Sequence, residues 1–126
     1  MLDLIIKNGS CYIDKDLKNQ DIAIKDGKII KIGKIDEDAS NIFDAKGLIV
    51  LPGCIDTQTH FREPGSTDTE DLHSGSKAAI VGGITSVFEM PNTNPPTSTK
   101  KEFQRKLDLA KNRMYCNYAF YFGATA

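Results

Sequence analysis

Apolar and polar residues alternate in short runs through residues 1–52, and glycine-containing turns separate these runs. Isoleucines occupy every second position on both sides of an Asp26-Gly27 pair. An Asp-Gly pair between two alternating runs is a strong signal for a tight β-hairpin, and a period of two is typical of half-buried strands. The sequence therefore predicts a small sheet whose buried face carries the alternating isoleucines, which are Ile22, Ile24, Ile30 and Ile32.

From Gly53 the pattern changes to strands that alternate with helices. The first candidate helix ends at Gly82-Gly83, and Thr99 and Glu102 have the spacing of a capping box at the start of the second. Alternating β and α units of this length predict parallel strands joined by crossover helices. The predicted order is a strand in 54–61, a helix in 69–83, a strand in 84–91, a helix after 99 and a strand in 115–124.

This alternation predicts an α/β fold that is the start of a (β/α)8 barrel of the TIM type. A closed barrel takes about 250 residues, and an open three-stranded sheet would leave apolar edges exposed. The chain has 126 residues. We therefore expect residues 53–126 to form the first three β/α units of an incomplete barrel, in a chain that is the front part of a longer protein.

The overall charge argues against two classes of partner. Sixteen basic and seventeen acidic residues give a net charge of −1 at pH 7, so no overall field attracts the chain to nucleic acid or to a membrane surface. The N-terminus carries Asp3 and only a short apolar run, which is unlike a signal peptide, and no run approaches the roughly 18 apolar residues of a membrane span. The sequence predicts a cytoplasmic protein with a small-molecule partner.

Several chemically reactive residues have ordinary structural interpretations. The three cysteines are widely spaced and lie among apolar residues, so we expect them to be small buried side chains rather than ligands or disulfides. His73 is expected on the solvated face of the first helix. Glu63 is expected to organise its loop, with a contact to Arg62 as the alternative. Glu89 is expected to point into the barrel and pair with a barrel neighbour. The basic residues expected on a solvated helix face are Lys100, Lys101, Arg105 and Lys106.

One strand combines several polar groups that are costly to bury. In "CIDTQTHFREPG", residues 54–65, the period of two places Asp56, Gln58, His60 and Arg62 in one row. Four polar side chains in a row are unfavourable in a core unless they meet ions, ligands or one another. Because parallel barrels place their sites at the carboxyl ends of strands, this row predicts a functional site.

Two separated motifs in this region resemble the dihydroorotases of the amidohydrolase superfamily. They are "LPGCIDTQTHFREPG" and "GGITSVFEMPNTNPPT", and the likeness extends through "NYAFYFGATA". The N-terminal hairpins also resemble the small β-sandwich domain that precedes the barrel in this superfamily. The resemblance thus implies two domains, a β-sandwich portion at 1–52 and the barrel portion at 53–126.

The resemblance implies roles for four residues. His60 matches the second of two histidines that bind zinc, and one or two zinc ions are implied. Arg62 and Asn92 match the residues that bind the substrate carboxylate. Gln58 stands where the first ligand histidine is expected, and both a working variant site and a weakened one remain open. The other ligands and the catalytic aspartate come from later strands, so no catalytic residue is expected in this chain and the aspartate is expected beyond Ala126.

The implied function is the interconversion of N-carbamoyl-L-aspartate and dihydroorotate in pyrimidine biosynthesis, by a metal-dependent hydrolase that is inactive as this chain alone. Allantoinase and hydantoinase, or dihydropyrimidinase, are the alternatives within the same chemistry. A different class of protein is a non-catalytic subunit that supports aspartate transcarbamoylase in a complex. A homodimer is the alternative to assembly with aspartate transcarbamoylase.

Overall fold

The computed structural model describes residues 1–124. The chain divides into two compact units, Met1–Pro52 and Gly53–Ala126. Each unit has its own sheet and its own buried cluster of apolar side chains.

The first unit is a five-stranded mixed sheet. Strand β1 lies in its interior and pairs antiparallel with β2 and parallel with β4 and β5, while β3 extends the sheet beyond β2. The buried cluster of this unit is Leu2, Ile5, Ala23 and Ile35, against which Ala39 packs. The strands are β1 (Leu2–Ile13), β2 (Asp16–Lys25), β3 (Lys28–Gly33), β4 (Ala39–Asp44) and β5 (Ile49–Val50).

The Asp26-Gly27 hairpin is confirmed. Lys25 pairs with Lys28 across it, and both turn residues have positive φ, 50° at Asp26 and 70° at Gly27, as a two-residue hairpin turn requires. The expected burial of the alternating isoleucines is only partly correct. Ile22 is buried, but Ile30 and Ile32 of β3 are about half exposed, because β3 is the edge strand and no other described element covers it.

The second unit contains three parallel strands joined by two crossover helices, as the sequence predicts. Its strands lie in the order β6-β7-β8, and both neighbouring pairs are parallel. The helices pack against the sheet over a buried cluster of Phe61, Leu72, Val87, Ala110 and Cys116. The elements are β6 (Cys54–Thr59), α1 (Leu72–Val81), β7 (Ile84–Glu89), α2 (Lys100–Ala110) and β8 (Asn117–Phe120).

Side-chain caps determine where both helices begin. Asp71 precedes α1, and its carboxylate accepts a hydrogen bond from the Ser74 N–H at 2.6 Å while the Ser74 hydroxyl accepts one from the Asp71 N–H. Thr99 precedes α2, and its hydroxyl accepts from the Glu102 N–H at 3.2 Å. The cap at Thr99 agrees with the predicted helix start. Asp68 and Glu70 lie outside α1, in the loop before Asp71.

The cysteines are all free thiols, but they are not all buried. Cys11 and Cys116 lie in the cores of their units, as expected. Cys54 is exposed at the start of β6, an edge strand of its sheet, so the prediction is wrong for this residue. Within residues 1–124, no helix has both the length and the apolar composition needed to cross a bilayer.

Candidate functional site at the strand ends

The predicted row of four polar side chains is not one continuous strand face. Strand β6 ends at Thr59, so His60 and Arg62 belong to the loop that follows it. The pairing of β6 with β7 is irregular between Asp56 and Thr59, and the Asp56 carboxylate accepts a hydrogen bond from the Gln58 N–H at 2.9 Å. This local hydrogen bond takes the place of regular strand pairing. Side chains therefore do not alternate strictly between the two faces of the sheet at this point.

Buried residues alternate with the site residues in the loop after β6. Phe61 is 8% exposed and packs in the core cluster, and Glu63 is 7% exposed. Gly75 of α1 makes room for the Phe61 ring, since a Cβ at this glycine would lie 2.6 Å from a ring carbon. Consequently the backbone that carries His60 and Arg62 is attached to the helix layer on both sides of Arg62.

Glu63 makes this attachment through an ion pair that sequence reasoning missed. Arg113, which follows α2, donates from Nη1 and Nη2 to the two carboxylate oxygens of Glu63 at 2.8 and 3.0 Å. The Leu72 N–H also donates to Glu63 at 3.0 Å. Glu63 therefore contacts Arg113, and the alternative contact to Arg62 is wrong. Nothing local in the sequence indicates a pair separated by fifty positions.

The same arginine also reaches the cap of α1. Its Nη2 lies 3.4 Å from the Asp71 carboxylate. Hydrogen bonds from the Ser74 N–H and hydroxyl lower the pKa of Asp71, and the charge of Arg113 lowers it further. The Glu63 carboxylate in turn raises the pKa of Arg113. This network joins the β6 loop, the start of α1 and the end of α2.

A second loop, which follows β7, is held against the first by backbone contacts. The Met90 N–H donates to the Thr59 carbonyl at 2.9 Å, and the Asn94 N–H donates to the Pro64 carbonyl at 3.0 Å. Gly65 has a φ of +126°, and a Cβ there would lie 2.9 Å from the Asn94 Cβ. Only glycine allows this backbone conformation and this close approach together.

These two loops bring three of the four predicted site residues together. Nδ1 of His60 lies 3.0 Å from Oδ1 of Asn92. Arg62 and Asn92 line one small pocket of about 120 Å³. Gln58 is exposed, and its side chain makes no hydrogen bond to any of these three within residues 1–124. The other residues that line the pocket are Phe61, Pro64, Ser66, Thr93 and Asn94.

A buried ion pair lies behind the second loop. Glu89, at the end of β7, and Lys106 of α2 are both fully buried and in contact. Lys106 also donates to the Met90 carbonyl at 3.1 Å and lies over the Phe120 ring. Burial raises the pKa of Glu89 to about 7, although the contact with the positively charged Lys106 opposes this rise.

This pair bears on the predictions for Lys106 and Glu89. Lys106 is not part of a solvated basic face, because it turns inward to Glu89, whereas Lys100, Lys101 and Arg105 are exposed. Glu89 is paired, as expected, but its partner lies on α2, so its side chain points to the helix layer and the predicted direction into the barrel is wrong. His73 is exposed on α1, as predicted, and its ring makes a T-shaped contact with the ring of Tyr115.

The described residues supply only part of a metal site. Within residues 1–124, no group of three or more His, Cys, Asp and Glu side chains could hold a metal ion. His60 suits a zinc ligand, since its Nδ1 is hydrogen-bonded to Asn92 and the described contacts leave Nε2 open. An amide oxygen at Gln58 would be a weaker ligand. Among residues 1–124, His60 therefore fits as one zinc ligand, and a complete site needs further ligands.

Polar side chains gathered at the carboxyl ends of parallel β/α units are typical of (β/α)8 barrels. The chain belongs to the amidohydrolase family, whose profile matches residues 49–125. It is 42% identical over 127 aligned residues to a dihydroorotase from Methanosarcina mazei and 45% identical over 113 to an allantoinase from Salmonella choleraesuis.

The fold class predicted from the sequence is confirmed by a solved relative. The chain superposes on the L-hydantoinase (dihydropyrimidinase) of Arthrobacter aurescens with a TM-score of 0.88 and 35% identity, over 98% of this chain. It covers 28% of that hydantoinase, 28% of the dihydroorotase and 25% of the allantoinase. The chain thus spans about a quarter of the length of these relatives.

Proposed function

We propose that this chain is the N-terminal part of a dihydroorotase-like hydrolase, which interconverts N-carbamoyl-L-aspartate and dihydroorotate in pyrimidine biosynthesis. The observation that carries the proposal is the convergence of His60, Arg62 and Asn92 at two adjacent strand ends. The identity with a named dihydroorotase over 99% of the chain supports it.

Arg62 and Asn92 suit the binding of a carboxylate. Both line the same pocket, and within residues 1–124 no acidic side chain lines it with them. A guanidinium binds a carboxylate through two parallel hydrogen bonds, and an amide N–H adds a directed contact without adding charge. These two residues would hold the acid group of dihydroorotate, which fixes the position of the ring amide before it reacts.

His60 would provide one ligand of a zinc site, of one or two ions, with Gln58 beside it in the sequence. When bound, zinc supplies Lewis-acid activation of water and of the amide carbonyl. The role of His60 is to offer a neutral imidazole nitrogen in a fixed orientation. The remaining ligands and the acid-base aspartate would come from later strands of the barrel.

Two related activities share this chemistry and are favoured by specific observations. Identity with a named allantoinase reaches 45%, and the TM-score with an L-hydantoinase is 0.88. Their substrates lack the carboxylate that Arg62 and Asn92 would bind. The proposal therefore predicts a preference for an anionic ring.

The deciding assay compares hydrolysis of dihydroorotate, allantoin and dihydrouracil by the natural gene product. We expect dihydroorotate to be preferred. A preference for allantoin or dihydrouracil, whose rings carry no carboxylate, would contradict the proposal. In Arg62→Met, we expect the KM for dihydroorotate to rise by about tenfold to a hundredfold, because a charge-assisted pair is lost. Arg105→Met, which changes an exposed arginine of α2, is the matched control.

A non-catalytic subunit of an aspartate transcarbamoylase complex is the alternative of another class, and Gln58 favours it. Zinc analysis of the natural gene product separates the two. Absence of zinc together with no turnover after zinc is supplied would support the subunit, as would co-purification with aspartate transcarbamoylase. Light scattering of the same sample tests the proposed homodimer.

A further inference from the structure

The two ring nitrogens of His60 have different surroundings. Nδ1 lies 3.0 Å from the carboxamide oxygen of Asn92, and within residues 1–124 no hydrogen bond uses Nε2. A carboxamide oxygen can only accept a hydrogen bond, so the ring nitrogen opposite it must carry the proton. The neutral ring is then the Nδ1–H tautomer, and the lone pair is on Nε2.

We propose that Asn92 is a positioning residue for His60. Its carbonyl oxygen holds the neutral imidazole as the Nδ1–H tautomer, which leaves Nε2 as the nitrogen that binds a cation. Its Nδ2 group, which makes no hydrogen bond in the described part of the chain, stays available to an anion beside Arg62. This inference deepens the proposed function and rests on it for the identity of the two ligands, but the tautomer can be measured without either.

The backbone of Asn92 is held firmly enough for this role. The residue follows Pro91, whose carbonyl accepts from the Thr97 N–H at 2.9 Å. On the other side, the Met90 N–H is bonded to the Thr59 carbonyl, one residue before His60. The bond between Met90 and Thr59 therefore joins the backbones that lead to Asn92 and His60, at the ends of β7 and β6.

One amide would thereby couple the cation site to the anion site. An anion that accepts from Nδ2–H draws the amide hydrogens toward itself and increases the negative charge on Oδ1. The hydrogen bond from Nδ1–H then strengthens, and Nε2 becomes a better ligand, as expected for hydrogen bonds in a chain. Because coupling is reciprocal, a cation on Nε2 should tighten anion binding by the same factor.

Nitrogen-15 NMR of the histidine-labelled chain tests the tautomer at about pH 8, where an unperturbed ring is neutral. The chain has two histidines, and exposed His73 is an internal reference because its described ring contact is with the ring of Tyr115. We expect mostly Nδ1–H for His60 and mostly Nε2–H, the usual form in water, for His73. In Asn92→Ala, His60 should change to the pattern of His73.

Two further variants separate the loss of the acceptor oxygen from damage to the loop. Asn92→Asp retains an acceptor oxygen, so it should preserve the Nδ1–H tautomer even where Asn92→Ala disturbs the loop. Asn94→Ala changes an exposed asparagine of the same loop and should leave the His60 tautomer unchanged. An Nε2–H tautomer in the unmodified chain, or an unchanged tautomer in Asn92→Ala, would overturn the inference.

Zinc chloride added to the same samples separates this inference from the proposed function. In the unmodified chain, Zn²⁺ should shift the Nε2 resonance of His60, and Asn92→Ala should lower the apparent zinc affinity by about tenfold. A shift at Nδ1 instead would overturn the inference. In the natural gene product, which would carry the later strands, the Nδ1–H tautomer without any zinc response would support the inference and contradict the zinc site of the proposed function.

Discussion

Glu63 and Arg113 form a two-pronged ion pair, with N–O distances of 2.8 and 3.0 Å, that attaches the loop of the candidate site to the end of α2. Glu63 directly follows Arg62, so the position of the proposed carboxylate-binding arginine depends on a contact made in the helix layer. The stability of the second unit and the geometry of its site therefore depend on one interaction.

Replacing the guanidinium of Arg113 tests that dependence. Arg113→Lys keeps the positive charge but cannot donate two parallel hydrogen bonds, so we expect the free energy of unfolding to fall by about 2 kcal/mol. Urea unfolding of the chain measures it. Arg105→Lys is the matched control, since its pair with Glu102 is exposed and 3.5 Å long, and it should change stability by less than about 0.5 kcal/mol. Equal effects would contradict the anchoring role.

The buried carboxyl of Glu89 should make stability depend on pH. Its pKa is raised from 4.5 to about 7, so between these values the folded state holds a proton that the unfolded state releases. Stability should therefore fall as pH rises through this window and level off above it, by about 3 kcal/mol in total. Glu89→Gln removes the titrating group and should lack this fall. Urea unfolding at several pH values compares the unmodified chain with Glu89→Gln. If the free energy of unfolding depends on pH in the same way in both, Glu89 is not the group responsible.

Gly65 should resist substitution more strongly than another glycine of the same unit. Gly65→Ala forces a side chain into a left-handed conformation and against Asn94, so we expect a loss of about 2 kcal/mol or more. Gly83→Ala also has a positive φ but meets nothing within 4 Å, so it isolates the backbone cost, about 1 kcal/mol. Thermal or urea unfolding gives both values. A larger loss at Gly83 would show that the contact with Asn94 is unimportant.

The residue that departs from the expected ligand pair offers a gain-of-function test. Gln58→His replaces an amide, which binds zinc weakly, with an imidazole, and we expect zinc affinity of the chain to rise on the order of tenfold. Isothermal titration with Zn²⁺ measures it. Gln104→His places an imidazole on an exposed position of α2 and should add no comparable affinity. Unchanged affinity in Gln58→His would favour a working variant site in which Gln58 has another role.

The features that sequence reasoning predicted correctly are local. The hairpin at Asp26-Gly27, the cap at Thr99 and the parallel order of the second unit follow from turn chemistry and periodicity within short segments. The candidate roles of His60, Arg62 and Asn92 came from motif resemblance, and they stay predictions. Their proximity follows because successive parallel strands end at the same edge of the sheet.

The features that it missed depend on distant contacts. Lys106 has the same local pattern as its exposed neighbours, and only the buried carboxylate of Glu89 explains why it turns inward. Arg113 likewise has no sequence signal that points to Glu63. The irregular end of β6 was missed because alternation assumes regular pairing, which the Asp56 carboxylate interrupts.

The alternation of anchors and site residues after β6 has a consequence for how this site can change over evolutionary time. Phe61 and Glu63 belong to the core and to an ion pair, so a substitution in this short loop disturbs packing as well as chemistry. Gln58 lies before the anchored segment, is exposed and has no side-chain partner within residues 1–124. The side chain at position 58 can therefore be exchanged at little cost to folding, and this is the position at which the chain departs from the expected pair of histidines.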